Sequence, residues 1–194
     1  MHSGKYAFVL VTAVLSMALL GKAHSAPVLD FETSYDDSSV TMTNSKDFSL
    51  GDVYLGLNED LKTTSFSLAQ DESREFNFFD IKLPVGKGSG ELEGTLGFLE
   101  PAGVSGTGEG KGHWFSLFFF SGGDLTWNAQ PDPIELADGS MFSIAFSDLH
   151  GVDLGAKHTV KATVTANSVA VPAPGTLALF GLGLLGLGLR RRQN

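Results

Sequence analysis

The chain has 194 residues, 13 Lys plus Arg against 22 Asp plus Glu, and no cysteine. Without cysteine there is no disulfide framework, thiolate zinc site, iron–sulfur cluster or cysteine nucleophile, and a formal charge of −9 argues against a nucleic-acid partner, whose phosphates seek Lys and Arg. With 24 Gly, 15 Phe and few Ala-Glu-Lys-Leu stretches, the composition also points away from a helical fold.

Residues 1–25 read as a secretory signal peptide. Lys5 supplies the basic start, the run from Tyr6 to Gly21 the apolar core, and Ala23-His24-Ser25 the small-residue exit. Cleavage after Ser25 puts Ala23 and Ser25 at the small-residue positions before the cut, whereas cleavage after Ala26 would put His24 at one of them. The other use of such a run is an uncleaved membrane anchor.

The secreted domain follows over residues 26–168. The terminal segments hold five of the 13 basic residues (Lys5, Lys22, Arg190, Arg191 and Arg192) and none of the 22 acids, so this domain keeps 8 basic against 22 acidic groups, a net −14. Strands are expected near 28–33, 40–43, 48–57, 63–68, 75–83, 91–98, 113–120, 125–128, 141–147 and 158–167, where apolar and polar residues alternate. The clearest is the last, with Val160, Ala162, Val164 and Ala166 on one face and Thr and Lys on the other. At Phe78-Phe79 the apolar phase slips by one, which predicts a β-bulge. The run from Trp114 to Phe120 is apolar on both faces over its second half, as in a central strand or one covered by a loop. Between the runs lie turn-like stretches at 83–90, 122–124, 130–133 and 138–139, and Gly106–Gly112 reads as a flexible hairpin loop. Single helical turns are expected near Asp60-Leu61-Lys62 and Pro133-Ile134-Glu135-Leu136. Many short strands at this spacing predict an all-β, antiparallel β-sandwich of jelly-roll or immunoglobulin-like kind.

The domain offers little catalytic chemistry. His113, His150 and His158 lack the one-turn helical spacing of a zinc site. Gly103-Val104-Ser105-Gly106 has the wrong spacing for a nucleophile elbow. Glu91 and Glu93 share a strand face, as two facing acids of a glycosidase would, but so do acids on many solvated faces. The expectation is that the chain is not an enzyme and holds no catalytic residue or cofactor. A weak structural calcium is the one ion the loops suggest, with Asp36, Asp37, Asp148 and Asp153 as candidate ligands. Trp114, Trp127, Tyr35 and Tyr54 could stack on sugar rings or simply fill the core.

The tail, residues 169–194, is more specific. Pro172-Ala173-Pro174-Gly175 precedes an apolar run from Thr176 to Leu189, and Arg190-Arg191-Arg192 follows it. That run spans roughly 21 Å as a helix, short against a bilayer core of about 30 Å. Thinning and arginine snorkelling can close the gap, and the arginines would stay cytoplasmic. Gly181-Leu182-Gly183-Leu184-Leu185-Gly186 satisfies a dinucleotide fingerprint but sits in membrane-like sequence, so it is not a cofactor loop.

This tripartite tail resembles a PEP-CTERM sorting signal, with Pro172 and Pro174 at the motif's prolines and Ala173 where Glu is usual. The resemblance implies a Gram-negative, exopolysaccharide-making bacterium and an exosortase that processes the tail. It further implies export across the inner membrane, transient anchoring there through the C-terminal helix, and a final place at the cell surface or outside the cell. Its expected role is structural or adhesive, in company with exopolysaccharide; a carbohydrate-binding module is the alternative and a secreted hydrolase the third reading.

Overall fold

The computed structural model describes residues 26–117 and 120–171. The signal peptide expected over 1–25, the motif at 172–175, the apolar tail and the arginine cluster lie outside the described residues. Among the described residues no helix is long and apolar enough to cross a membrane.

In chain order the strands are β1 (Val28–Leu50), β2 (Tyr54–Leu57), β3 (Ser65–Ala69), β4 (Ser73–Lys82), β5 (Val85–Glu100), β6 (Val104–Leu117), β7 (Phe120–Ala129), β8 (Ile134–Glu135), β9 (Met141–Phe146), β10 (Leu149–Val152) and β11 (Lys157–Ser168). They form two antiparallel sheets, a larger one ordered β10-β7-β6-β5-β1-β3 and a smaller one ordered β2-β4-β11-β9-β8. The all-β, two-sheet expectation holds.

Alternation does what it predicts in the smaller sheet. Val160, Ala162, Val164 and Ala166 of β11 are fully buried, and β11 is the middle strand, paired with β4 and β9. The phase slip is a bulge: Phe79 opposes Val160 while Asn77 opposes Lys161, leaving Phe78 as the extra residue. Both rings thereby reach the core, each fully buried.

Between the sheets Phe31 and Phe98 of the larger meet Phe142 of the smaller, at ring distances of 5.1 Å for Phe31–Phe142 and 5.7 Å for Phe98–Phe142. Lower down, Phe78 stacks on Phe146 at 4.8 Å, and Trp127 tilts against the same ring at 4.7 Å. Each buried side chain of this size contributes about 1.5–3 kcal/mol, and each well-set aromatic pair roughly 0.5–1.5 more.

Several expectations fail for one reason: glycine and serine here build strands. The separate strands expected at 28–33, 40–43 and the start of 48–57 are one long β1. It is broken by register shifts between Glu32 and Thr33, between Ser34 and Ser39, and between Thr43 and Lys46. The middle shift is a bulge closed on itself. Ser34 Oγ donates to Asp37 Oδ2 at 2.7 Å, Ser38 Oγ donates to the Ser34 carbonyl at 2.5 Å, and Gly97 N donates to Ser38 Oγ at 3.0 Å.

The turn expected at 83–90 and the loop expected at 106–112 lie largely in β5 and β6, which pair from Lys87–Phe115 to Phe98–Val104. Their inward glycines form a lane on which large apolar side chains of the core lie. A Cβ at Gly94 would stand 2.9 Å from Trp127, one at Gly106 2.6 Å from Ile144, and one at Gly108 2.9 Å from Phe146. Any larger side chain would push the sheets apart. The strand expected at 113–120 is divided, since β6 ends at Leu117 and β7 begins at Phe120, the two residues pairing. β6 nonetheless lies inside the sheet, between β5 and β7. The supposed turn at Gly122-Gly123-Asp124 belongs to β7.

The helical turn near Asp60 exists as a 3-10 turn, Glu59–Lys62, capped by Asn58. The one expected at Pro133–Leu136 does not: Ile134 and Glu135 are strand, pairing with Phe142 and Met141 at the sheet edge.

Both described ends of the chain lie at one pole. Val28 pairs with Ala69, and Ser168 pairs with Met141. The opposite pole gathers Lys157, Lys82 and Tyr54 with Leu50 and Val85. The 12 residues of β11 separate the two poles, roughly 36 Å at about 3.3 Å per residue.

Candidate binding face of the larger sheet

Side chains that leave the larger sheet away from the core follow the same period-two rule. On β5 the inward set is Leu92, Leu96 and Phe98, and on β6 it includes Trp114, all buried. The intervening residues face solvent. Register aligns them in rows across β1, β5, β6 and β7. The upper rows read Ser39, Thr95, Thr107 and Thr41, Glu93, Glu109; the next reads Thr43, Glu91, Lys111, Thr126. The lowest two rows are Ser89, His113, Asp124 and Phe48, Lys87, Phe115.

Those two lowest rows line a groove of about 610 Å³. Phe48 is 93% exposed and Phe115 51%. The exposed Leu50 and Val85, which pair with each other, extend the apolar surface toward the pole. Asp124 is held in place by its neighbour strand: Gly151 N donates to its Oδ1 at 3.0 Å, and His150 Nδ1 stands 3.5 Å from the same oxygen. Higher on the face, Glu91, Glu93, Glu109 and Lys111 surround a smaller hollow of about 240 Å³. The face thus combines two phenyl rings, a few donors and acceptors, and an acidic flank.

The aromatic residues expected to stack do not assemble. Trp114 is 2% exposed and belongs to the core, its Nε1 buried without a hydrogen-bond partner among the described residues. Trp127 packs on Phe146 and Phe79 and donates from Nε1 to the Ser147 carbonyl at 3.1 Å. Tyr35 is half-buried beneath the Lys62 ammonium, 4.5 Å from its ring centre. Only Tyr54 is well exposed among the four, and it lies on the other sheet, on β2.

The calcium candidates are likewise spread out. Asp36 and Asp37 sit in the β1 bulge, where Asp37 accepts from Ser34. Asp148, just before β10, accepts the Trp127 N–H at 2.9 Å. Asp153, just after β10, offers its carbonyl to His158 Nε2 at 3.0 Å. Among the described residues no three of His, Asp and Glu converge as metal ligands. Glu91 and Glu93 stand on the solvent face opposite Lys111 and Glu109. His113 is in the groove, His150 beside Asp124, and His158 on the smaller sheet, opposite Ile81.

Phe48 and Phe115 are what sequence reasoning missed. For Phe115 the signal was present: if Trp114 faces inward, its neighbour must face out. For Phe48 alternation misleads, because its polar neighbours Asp47 and Ser49 would place the ring on the inner face.

No curated protein and no solved structure significantly matches the chain. One family model does, described as the PEP-CTERM protein-sorting motif, over residues 170–192. That span takes in Pro172, Ala173, Pro174 and Gly175 and all three arginines of the terminal cluster. Motifs of this kind are processed by exosortase and direct export and surface sorting. The chain carries a PEP-CTERM sorting motif at its C-terminal end.

Proposed function

We propose that this chain is an exported, non-enzymatic β-sandwich protein, delivered to the cell surface or extracellular matrix, where it serves a structural or adhesive role alongside exopolysaccharide. The sorting motif at residues 170–192 carries the reading. The acidic domain supports it, because a net −14 keeps a secreted protein soluble and away from anionic surfaces and nucleic acid. The exposed placement of Glu91 and Glu93, side by side on one face of β5, supports a non-catalytic role. On this reading the chain is held transiently in the inner membrane by its apolar tail until exosortase acts. On the same reading calcium acts on the domain only by screening the field of its acids, as any divalent cation would.

The test is replacement of Pro172 and Pro174 by alanine in the producing organism, followed by fractionation and intact mass measurement. Unprocessed chain should accumulate in the inner membrane. Normal release of the double variant would overturn the sorting reading.

A further inference from the structure

We infer that the groove between Phe48 and Phe115 is a binding site for an uncharged glycan chain. The inference rests on the surface-delivery reading only for where the ligand is met; the chemistry stands on the groove itself.

Phe48 and Phe115 stand in one row with Lys87 between them. Their strands are therefore two spacings apart, about 10 Å. Two phenyl faces separated in this way suit a polymer that repeats a flat, partly apolar ring. A pyranose chain is such a polymer, with C–H-rich faces that stack on aromatics and hydroxyls at its edges. Hydroxyls need both donors and acceptors, and the groove floor has them in Lys87, Ser89, His113 and Asp124. Asp124 is already positioned by the Gly151 N–H, which fixes one carboxylate oxygen and leaves the group preoriented. A phenylalanine 93% exposed on a paired strand contributes nothing to the core. Together with Leu50, Val85 and Phe115 it forms the kind of apolar patch that marks a binding surface.

Other occupants fit less well. β5 and β6 are hydrogen-bonded on both sides, within the order β7-β6-β5-β1. The groove thus has no free backbone edge for an added peptide strand. On its upper side Glu91, Glu93 and Glu109 outnumber the single Lys111 opposite Glu91, and the domain's net −14 adds to their field. A polyanionic chain or an anionic lipid surface would be repelled. Charge thus selects a neutral glycan.

The test uses the full-length chain, purified in a detergent without a sugar headgroup. Titration calorimetry is run against neutral hexasaccharides (cellohexaose, laminarihexaose, xylohexaose, mannohexaose, maltohexaose) and against polygalacturonate. At least one neutral hexasaccharide should bind, and more tightly than polygalacturonate. Phe48→Ala and Phe115→Ala should each weaken it about tenfold, as truncation of an anchoring aromatic does. Asp124→Asn should weaken it less, and all three variants should melt close to wild type. The inference fails if no neutral hexasaccharide binds, if the phenylalanine variants bind as wild type does, or if polygalacturonate binds more tightly. It also fails if sedimentation shows a wild-type dimer that Phe48→Ala and Phe115→Ala separate, since the patch would then join two copies. Surface delivery is scored separately: loss of glycan binding with normal, Pro172- and Pro174-dependent delivery overturns this inference alone. Delivery that ignores those prolines overturns the function reading alone.

Discussion

Replacing Gly97 by alanine tests how tightly the β1 bulge lies on the neighbouring strand. A Cβ at Gly97 would stand 2.6 Å from Asp37 Cβ, 2.7 Å from the Asp37 carbonyl oxygen and 2.9 Å from its carbonyl carbon. Two of these are backbone atoms, which cannot rotate aside. The bulge is pinned by the Ser34–Asp37 and Ser38–Ser34 hydrogen bonds and by Gly97 N itself. Overpacking of this sort costs about 1–3 kcal/mol, and the rigid neighbour places it in the upper half of that range. Removing a glycine from the unfolded chain returns only about 0.4–1 kcal/mol. The net is a loss of about 2 kcal/mol, or a melting temperature lower by roughly 4–8 °C for a chain of this size. Gly122 is the matched control, because a Cβ there meets nothing within 4 Å. Gly122→Ala should raise the melting temperature by roughly 1–4 °C. Thermal melts followed by circular dichroism on both variants decide it. If Gly97→Ala melts at or above wild type, the close approach is not real and the reasoning is refuted.

Asp80, 8% exposed, accepts from Thr159 at 2.7 Å, Lys157 at 3.1 Å and Asn58 at 3.3 Å; Asp80→Ala should cost about 1.5–3 kcal/mol in urea unfolding, the worth of a hydrogen bond to a charged group. Phe142→Ala, at a fully buried ring meeting Phe31 and Phe98, should cost about 3–5 kcal/mol by the same assay. Calcium and magnesium, compared with EDTA at constant ionic strength, should raise the melting temperature by equal amounts, because the candidate acids do not converge; a clearly larger calcium shift would show a caged site.

What could be read from the sequence was whatever depended on a period of two. β11 and the Phe78 bulge follow directly from alternation, because a buried face tolerates no polar residue out of phase. What could not be read was the role of glycine. Gly94, Gly106 and Gly108 carry no side chain to show a phase, and their local composition is that of a loop. Only the side chains packed on them, rings of Phe78, Trp127 and Phe146 over Gly94 and Gly108 and Ile144 over Gly106, show that they belong to strands. Ser34, Asp37 and Ser38 misled similarly, since turn-forming side chains here close a bulge within a continuous strand. The binding face was hidden by the same gap. Trp and Tyr drew attention as sugar-stacking types, but which aromatic residues reach solvent depends on register, and register placed Trp114 inward and Phe115 outward.

The separation of the two poles carries a consequence for how the molecule is displayed. The sorting motif begins at residue 170, where the chain leaves the pole that holds Ser168 and Val28. Phe48, Phe115 and Leu50 lie toward the other pole, most of the length of β11 away. A partner that holds the chain by its C-terminal end therefore holds it at that pole, and the groove lies toward the other one. Crowding at the held pole would leave the other unobstructed. Copies held by that end would each keep the groove at the pole away from the hold.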